Sequence, residues 1–177
     1  MSRPSWLQNV AEELQRHDYM AGVDRTAERV KATGEVFTPT ALILEMCQYL
    51  DVALFAPGKT VLDPACGDGQ FLMAAKAIKL HVHGMAESAA LADIYGVDVM
   101  RDNVDLCLRR LGGGTIIMGN SLDPSQALPG QTAAELELMM ELFDEPTGIL
   151  TSRKKRLNKV PPVSLSAEDE AGSFLLF

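Results

Sequence analysis

Hydrophobic residues near the amino terminus recur at helical spacing and predict a short first helix. Its apolar face consists of Trp6, Leu7, Val10, Ala11 and Leu14. The polar stretch that follows, through Arg29, is compatible with either a helix or a linker. A second helix is marked by Thr38 as its N-cap and Pro39 at its first position. Its predicted apolar face consists of Leu42, Ile43, Met46, Cys47 and Leu50.

Three short apolar runs farther along the chain predict β-strands, at residues 60–63, 94–98 and 115–118. Residues 70–80 have a helical pattern between the first two strands. A second helical face precedes three consecutive glycines and the third strand, and it consists of Val104, Cys107, Leu108 and Leu111. Alternating strands and helices with short connections indicate a parallel sheet, which binds nucleotides at the carboxyl ends of its strands.

The pattern weakens beyond Asn120. Residues 133–143 predict one more helix, with Leu136, Met139, Met140 and Phe143 on one side, and no later segment has the pattern of a strand. We therefore expect an open edge on the sheet, and such an edge requires a cover. A C-terminal helix, a second copy of the chain or another subunit is expected to provide it.

Composition narrows the class of protein. With 177 residues, 47% of them hydrophobic, the chain fits one modest globular domain. The net charge of -8 disfavours nucleic-acid binding by the whole surface, so any DNA contact must be local. The three cysteines lack the close spacing of zinc or redox sites, so we interpret them as reduced packing residues and expect no metal. The charged amino-terminal residues match neither a signal peptide nor a membrane span, which predicts a cytoplasmic protein.

The turn after the first predicted strand is the first candidate for chemistry. Gly67 and Gly69 would let the backbone approach a ligand closely, and the amides at the start of the next helix favour polar or anionic groups. A glycine pair alone is explained equally well by a tight structural turn. The residues around the pair therefore decide between these two interpretations.

The stretch V-L-D-P-A-C-G-D-G-Q-F-L, residues 61–72, closely resembles the cofactor-binding signature of the adenine-specific DNA methyltransferases. Two other segments resemble the same family in order and type: T-G-E-V-F-T-P at residues 33–39 and G-N-S-L at 119–122. The resemblance covers roughly residues 33 to 123. It implies an α/β, Rossmann-like methyltransferase fold, truncated after the third strand, with S-adenosylmethionine as the cofactor.

The resemblance also implies a division of the chain and a set of site residues. The expected parts are an N-terminal helical segment (1–32), the S-adenosylmethionine-binding core (33–125), a helical and basic segment (126–163) and an acidic tail (164–177). The expected cofactor-binding residues are Phe37, Thr38, Pro39, Asp63, Pro64, Ala65, Cys66, Gly67, Asp68, Gly69, Phe71, Asp98, Asn120 and Ser121.

The resemblance places three of these segments around different parts of the cofactor. The Asp63 to Gly67 turn would surround the methionine moiety, with Phe37 to Pro39 beside it. Asn120 would reach the adenine ring, although Asn-Ser after a strand is also ordinary loop chemistry. Asp98 ends the second strand and is placed to accept hydrogen bonds from the ribose hydroxyls. The alternative role for Asp98 is that of an N-cap for the next helix.

One motif of the family is missing. The family transfers the methyl group with Asp or Asn followed by Pro-Pro and an aromatic residue, which hold a target base swung out of the duplex. Residues 143–147 and 158–163 each contain only part of this motif, so no catalytic residue is assigned. A basic cluster, Arg153, Lys154, Lys155 and Arg156, is a candidate DNA contact, although such a run is more often a solvated surface stretch.

Three interpretations of function therefore stay open. The chain is the cofactor half of an adenine methyltransferase whose catalytic part was lost or is supplied by a partner, as a homo-oligomer or with a complementing subunit. Alternatively, it is a catalytically inactive, cofactor-binding regulatory or structural subunit. The third interpretation is a methyltransferase for RNA or protein that uses other groups.

Overall fold

A computed structural model describes residues 4–17, 26–36, 38–143 and 174–176 of the chain. The helices are α1 (Ser5–Gln15), α2 (Ala27–Thr33), α3 (Thr40–Cys47), α4 (Gln70–His81), α5 (Glu87–Ala92), α6 (Arg101–Leu111) and α7 (Ala133–Phe143). The strands are β1 (Thr60–Asp63), β2 (Ile94–Asp98), β3 (Thr115–Met118) and β4 (Phe174–Leu176). A short 3-10 helix, Val52–Phe55, precedes β1.

The strands form one parallel sheet in the order β3-β2-β1-β4. Asp98, the last residue of β2, pairs with Met118, the last residue of β3. Asp63, the last residue of β1, pairs with Gly96, which lies two residues before the end of β2. Because all strands run in the same direction, the carboxyl ends of β1, β2 and β3 lie at one edge of the sheet. The α/β fold class and the parallel β1 to β3 sheet are confirmed.

Helices cover both faces of the sheet. The larger core lies on the face of α1, α4 and α6, and its largest fully buried side chains include Leu14, Ile43, Phe55 and Leu72. The α1 helix packs against α4, so the amino-terminal segment contributes to this core. On the other face, Met139 and Leu142 of α7 pack with a smaller cluster, which consists of Leu62, Val97 and Ile117. Both faces of the central strands are thereby buried, as expected for a parallel sheet.

The second predicted helix begins later than its sequence indicates. Pro39 is extended, with φ -60° and ψ 140°, and α3 starts at Thr40 instead of at Pro39. The amides of Leu42 and Ile43 donate to the Pro39 carbonyl, so the N-cap is Pro39 and not Thr38. The predicted apolar face is only partly buried, because Ile43 and Cys47 face the core while Leu42 and Met46 are exposed.

Sequence analysis identified no strand after Asn120, yet β4 lies beside β1. Thr60 pairs with Phe174 and Leu62 pairs with Leu176. A strand of the same chain therefore lies on the edge of β1, where a helix or a second chain was expected. The α5 helix and the 3-10 helix were also not predicted, because each is too short to show a hydrophobic period.

Among the described residues, none of the helices combines the length and the apolar character required to span a membrane.

Candidate functional site

The turn between β1 and α4 requires its glycines. Gly67 and Gly69 have positive φ angles, 52° and 92°, in a region that other residues rarely adopt. A Cβ atom at Gly69 would also lie 2.6 Å from the Cys107 Sγ atom of α6. The turn can therefore pack tightly against α6 only with glycine at this position.

A cavity of about 160 Å³ opens at this turn. Seven of the predicted site residues line it: Thr38, Asp63, Ala65, Cys66, Gly67, Asp68 and Phe71. Sequence analysis missed three other lining residues, which are Val36, Ile43 and Gln70. The structure therefore brings the segment before α3 and the turn after β1 to the same cavity.

Gln70 connects these two segments. Its Nε2 atom donates to the Thr38 carbonyl at 3.1 Å, and the Thr40 hydroxyl donates to its Oε1 atom at 2.8 Å. The side chain is buried although it is the first residue of α4. A polar residue directly after a glycine turn is the only sequence signal for this contact, which explains why it was not predicted.

Asp63 places a carboxylate in the cavity wall. The residue is only 4% exposed, and its Oδ1 atom accepts a hydrogen bond from the Ala65 amide at 3.1 Å. Its Oδ2 atom accepts no hydrogen bond from the described residues. Burial, supplemented by the nearby Asp98 charge, raises the pKa of Asp63 to about 6. The cavity thus offers an acceptor suited to a ligand that carries a positive charge or a hydrogen-bond donor.

Asp98, at the end of β2, accepts hydrogen bonds from three donors of the described residues. Its Oδ2 atom accepts from the Gly67 amide at 3.0 Å, and its Oδ1 atom accepts from the Met100 amide at 2.8 Å and from Asn103 Nδ2 at 3.1 Å. Burial raises the pKa of Asp98. Because each carboxylate oxygen can accept two hydrogen bonds, Oδ2 retains capacity for one further donor.

The alternative role of Asp98 as an N-cap is wrong in detail. The residue in the N-cap position of α6 is Met100, and the Asp98 side chain bonds the amide of that residue instead of an amide inside the helix. Asp98 also bonds the Gly67 amide across the sheet edge. Its carboxylate therefore connects the glycine turn to the start of α6.

Asp68 is engaged in a buried ion pair. Arg110 of α6 places its Nη1 atom 2.8 Å from Asp68 Oδ2, and both side chains are more than nine-tenths buried. This pair joins the glycine turn to the far end of α6. The Cys66 thiol lies in the same wall, and the neighbouring Cys107 thiol together with burial raises its pKa, so it is neutral at pH 7.

The loop after β3 contributes Asn120 and Ser121. The Ser121 hydroxyl donates to the Pro64 carbonyl at 2.6 Å and fixes the loop to the glycine turn. Asn120 bonds within its own loop, because its Oδ1 atom accepts from the Leu122 amide and its Nδ2 atom donates to Gln126. The structure therefore places Ser121 beside the turn, while Asn120 lies farther along the same edge.

The remaining predicted residues divide into two groups. Pro39, Pro64 and Gly69 belong to the segments around the cavity but do not line it. Phe37 and the basic cluster Arg153 to Arg156 lie outside the described residues. The two partial catalytic motifs, apart from Phe143, lie outside them as well.

Comparison with models of protein families identifies a match to this chain. A model of the N-6 DNA methylase family matches residues 21–111, slightly more than half of the chain. The matched region contains the 33–39 segment, the glycine turn and Asp98, and it ends with α6. No curated protein matches the chain.

Proposed function

We propose that this chain, which belongs to the N-6 DNA methylase family, binds S-adenosylmethionine in the cavity beside the glycine turn. The observation that carries the proposal is the buried Asp63 carboxylate, whose Oδ2 atom accepts no hydrogen bond from the described residues. A carboxylate buried with one hydrogen bond from the described residues keeps part of its desolvation cost, so its position in a cavity wall favours a ligand that supplies a further donor.

The size of the cavity fits one end of the cofactor. Small-molecule pockets are roughly 300–1,000 Å³, and this one is about 160 Å³. The positively charged methionine end would lie against Asp63, since opposite charges attract strongly in a partly buried site. The rest of the molecule would extend along the edge of the sheet, toward the ends of β2 and β3.

In this proposal, Asp98 and Asn120 contact the cofactor along that path. The Oδ2 atom of Asp98 has capacity for a ribose hydroxyl, and Asn120 in the loop after β3 would approach the adenine ring. Val99, an exposed apolar residue directly after Asp98, provides an apolar surface at the same edge. When bound, S-adenosylmethionine supplies an electrophilic methyl group.

Calorimetric titration with S-adenosylmethionine tests the proposal. We expect saturable binding by the wild-type protein and a loss of roughly 5- to 150-fold in affinity for Asp63→Asn, which corresponds to about 1–3 kcal/mol. The Asn side chain keeps an acceptor for the Ala65 amide, so the turn should stay folded. Asp105→Asn, on α6, is the matched control and should bind like the wild type.

Absence of binding by the wild type would contradict the proposal. Equal affinity of wild type and Asp63→Asn would show that the ligand binds elsewhere. Adenosine and methionine, titrated separately, would then report whether one half of the cofactor is recognised without the other.

The motif with which this family transfers the methyl group, Asn or Asp with Pro-Pro-aromatic, is absent from residues 1–177. We propose that a partner chain which carries this motif completes the site and that the pair methylates the exocyclic amine of adenine in DNA. The second candidate is a cofactor-binding regulatory or structural subunit without transfer activity. The missing motif and the net charge of -8 favour this second candidate.

A transfer assay separates the two candidates. Labelled methyl groups should not reach adenine-containing DNA from S-adenosylmethionine with the chain alone. Addition of a protein that carries the motif should start transfer if the chain is half of an enzyme, and should leave the rate at background if it is a regulatory subunit. Transfer by the chain alone to DNA, RNA or protein would contradict both candidates.

A further inference from the structure

Arg29 of α2 holds two carboxylates from different parts of the chain. Its Nε and Nη2 atoms donate to the two Glu35 oxygens at 2.5 and 2.9 Å. Its Nη1 atom also contacts Asp102 Oδ2, and its Nη2 atom lies 3.1 Å from Asp102 Oδ1. The guanidinium side chain is only 12% exposed. A bidentate pair in such a setting has a fixed geometry, so α2 is fastened to the start of α6.

Asn103 extends this contact to the candidate cofactor site. Its Nδ2 atom donates to Glu35 Oε1 at 2.7 Å and to Asp98 Oδ1 at 3.1 Å. Both neighbours are carboxylates, so the orientation of the amide is unambiguous. The residue is fully buried, and its Oδ1 atom has no hydrogen-bond partner among the described residues. Among the described residues, this side-chain amide is therefore held by the two hydrogen bonds that its Nδ2 atom donates to carboxylates, although a buried acceptor is normally satisfied as well.

We propose that Arg29, Glu35 and Asn103 are positioning residues that fix the orientation and the charge of the Asp98 carboxylate at the cofactor site. This inference deepens the proposed binding of S-adenosylmethionine and rests on it for its functional part. None of the three residues lines the cavity or is required to touch a ligand. They act through Asp98, which bonds the Gly67 amide of the cavity wall.

The charges predict effects of opposite sign. Burial is the main cause of the raised pKa of Asp98 and the Glu35 charge adds to it, whereas Arg29 holds the pKa of both Glu35 and Asp102 below their ordinary values. The Asp98 charge in turn contributes, after burial, to the raised pKa of Asp63 of β1, and it is a minor contribution to the raised pKa of the Cys66 thiol, after the Cys107 thiol and burial. Removal of Arg29 leaves negative charge unbalanced near Asp98, and removal of the Glu35 charge relieves it.

Carbon-13 NMR titration of the Asp98 carboxyl tests this without cofactor. We expect Arg29→Met to raise the pKa of Asp98 and Glu35→Gln to lower it, each by about 0.5 to 1 pH unit. Arg29→Lys keeps the charge and should leave the pKa of Asp98 within a few tenths of its wild-type value. A merely structural role would not give shifts of opposite sign. Unchanged values, or shifts of one sign in all variants, would overturn the proposal.

The same variants test the functional part. Acidification should weaken S-adenosylmethionine binding as the Asp98 carboxylate is protonated. This loss of affinity should begin at a higher pH in Arg29→Met than in wild type, and at a lower pH in Glu35→Gln. Asn103→Leu should weaken binding at neutral pH by roughly 5- to 20-fold. Affinities within twofold of wild type at every pH would remove the link to binding. If wild-type protein does not bind the cofactor at all, the proposed function fails, while the NMR titration still decides whether the network sets the charge of Asp98.

Discussion

The carboxyl ends of β1 and β2 each contain a buried aspartate, but the two side chains are satisfied to different degrees. Asp63 accepts one hydrogen bond from the described residues, from the Ala65 amide. Asp98 accepts three, from Gly67, Met100 and Asn103. Burial raises the pKa of both carboxyls. The same residue type, at equivalent positions of neighbouring strands, therefore has different physical surroundings.

The difference separates a group that stabilises the fold from a group that a ligand could satisfy. Removing Asp98 leaves buried amide donors without an acceptor, which destabilises the folded state. Removing the charge of Asp63 relieves a desolvation cost that, among the described residues, the Ala65 hydrogen bond offsets only in part. Loss of the Asp63 charge should therefore raise stability but weaken binding of the cofactor. Loss of Asp98 should lower both.

The largest effect should come from the position where the two regions pack together. Gly69 lies against Cys107 of α6, the helix that follows β2. Gly69→Ala adds backbone strain at φ 92° and a contact of 2.6 Å with Sγ. We expect the free energy of unfolding to fall by about 2–4 kcal/mol, measured by urea denaturation.

Cys107→Ala provides the control for that change. It removes the Sγ atom but not the backbone strain, so Gly69→Ala in this background should cost less than in the wild type. Equal costs in the two backgrounds would mean that the steric contact contributes nothing.

Asp98→Ala should destabilise the protein by about 2 kcal/mol, because buried donors on both sides of the turn lose their acceptor. The relief of a buried charge offsets part of this cost. Asp105→Ala on the same helix should change the free energy of unfolding by less than about 0.5 kcal/mol. Thermal denaturation of wild type, Asp98→Ala and Asp105→Ala measures these differences in stability. If Asp98→Ala is as stable as wild type, the distinction between the two aspartates is wrong.

Asp63→Asn should have the opposite sign and stabilise the cofactor-free protein by about 1–2 kcal/mol above pH 7. Since folding raises the pKa of Asp63 from 3.8 to about 6, the folded state binds more protons than the unfolded state between these values. Stability of the wild type from this group therefore falls as the pH rises from about 4 to 6, whereas the Asn variant lacks this dependence. Urea denaturation of both proteins at pH 4 and pH 8 measures this difference. The stability gain of Asp63→Asn over wild type should be present at pH 8 and vanish at pH 4.

The β1 region was predictable from sequence because its signals are contiguous. The apolar run of β1, the two glycines and the helical period of α4 lie within one short stretch, and the structure contains these elements where the pattern places them. The candidate residues of that stretch, such as Asp63 and Gly67, line one cavity. Local patterns suffice for these elements, although the turn itself also contacts Cys107, Asp98 and Ser121, which are distant in the chain.

The β2 region could be predicted only in part, because its partners are distant in the chain. Glu35 contacts Asn103, and Asp68 pairs with Arg110, over separations that no local period encodes. The strand β4 was not predicted for a related reason. A run of three apolar residues is too short to predict a strand, and this one is defined by its pairing with β1. The start of α3 was misplaced because Gln70 holds the Thr38 carbonyl.

The end of β3 extends the comparison to a third strand and should give the smallest effect. Ser121 donates its hydroxyl to the Pro64 carbonyl at 2.6 Å, and it is the described contact that fixes this loop to the turn after β1. Ser121→Ala should lower the free energy of unfolding by only about 0.5–1.5 kcal/mol, because Ser121 and Pro64 are both only half-buried and water can replace the hydroxyl. Ser125→Ala is the matched control, because Ser125 lies in the same loop and, among the described residues, its hydroxyl donates to Asp123. If the loop helps to bind the cofactor, Ser121→Ala should also weaken S-adenosylmethionine binding severalfold, whereas Ser125→Ala should not. Equal calorimetric affinities for both variants would confine the site to the ends of β1 and β2.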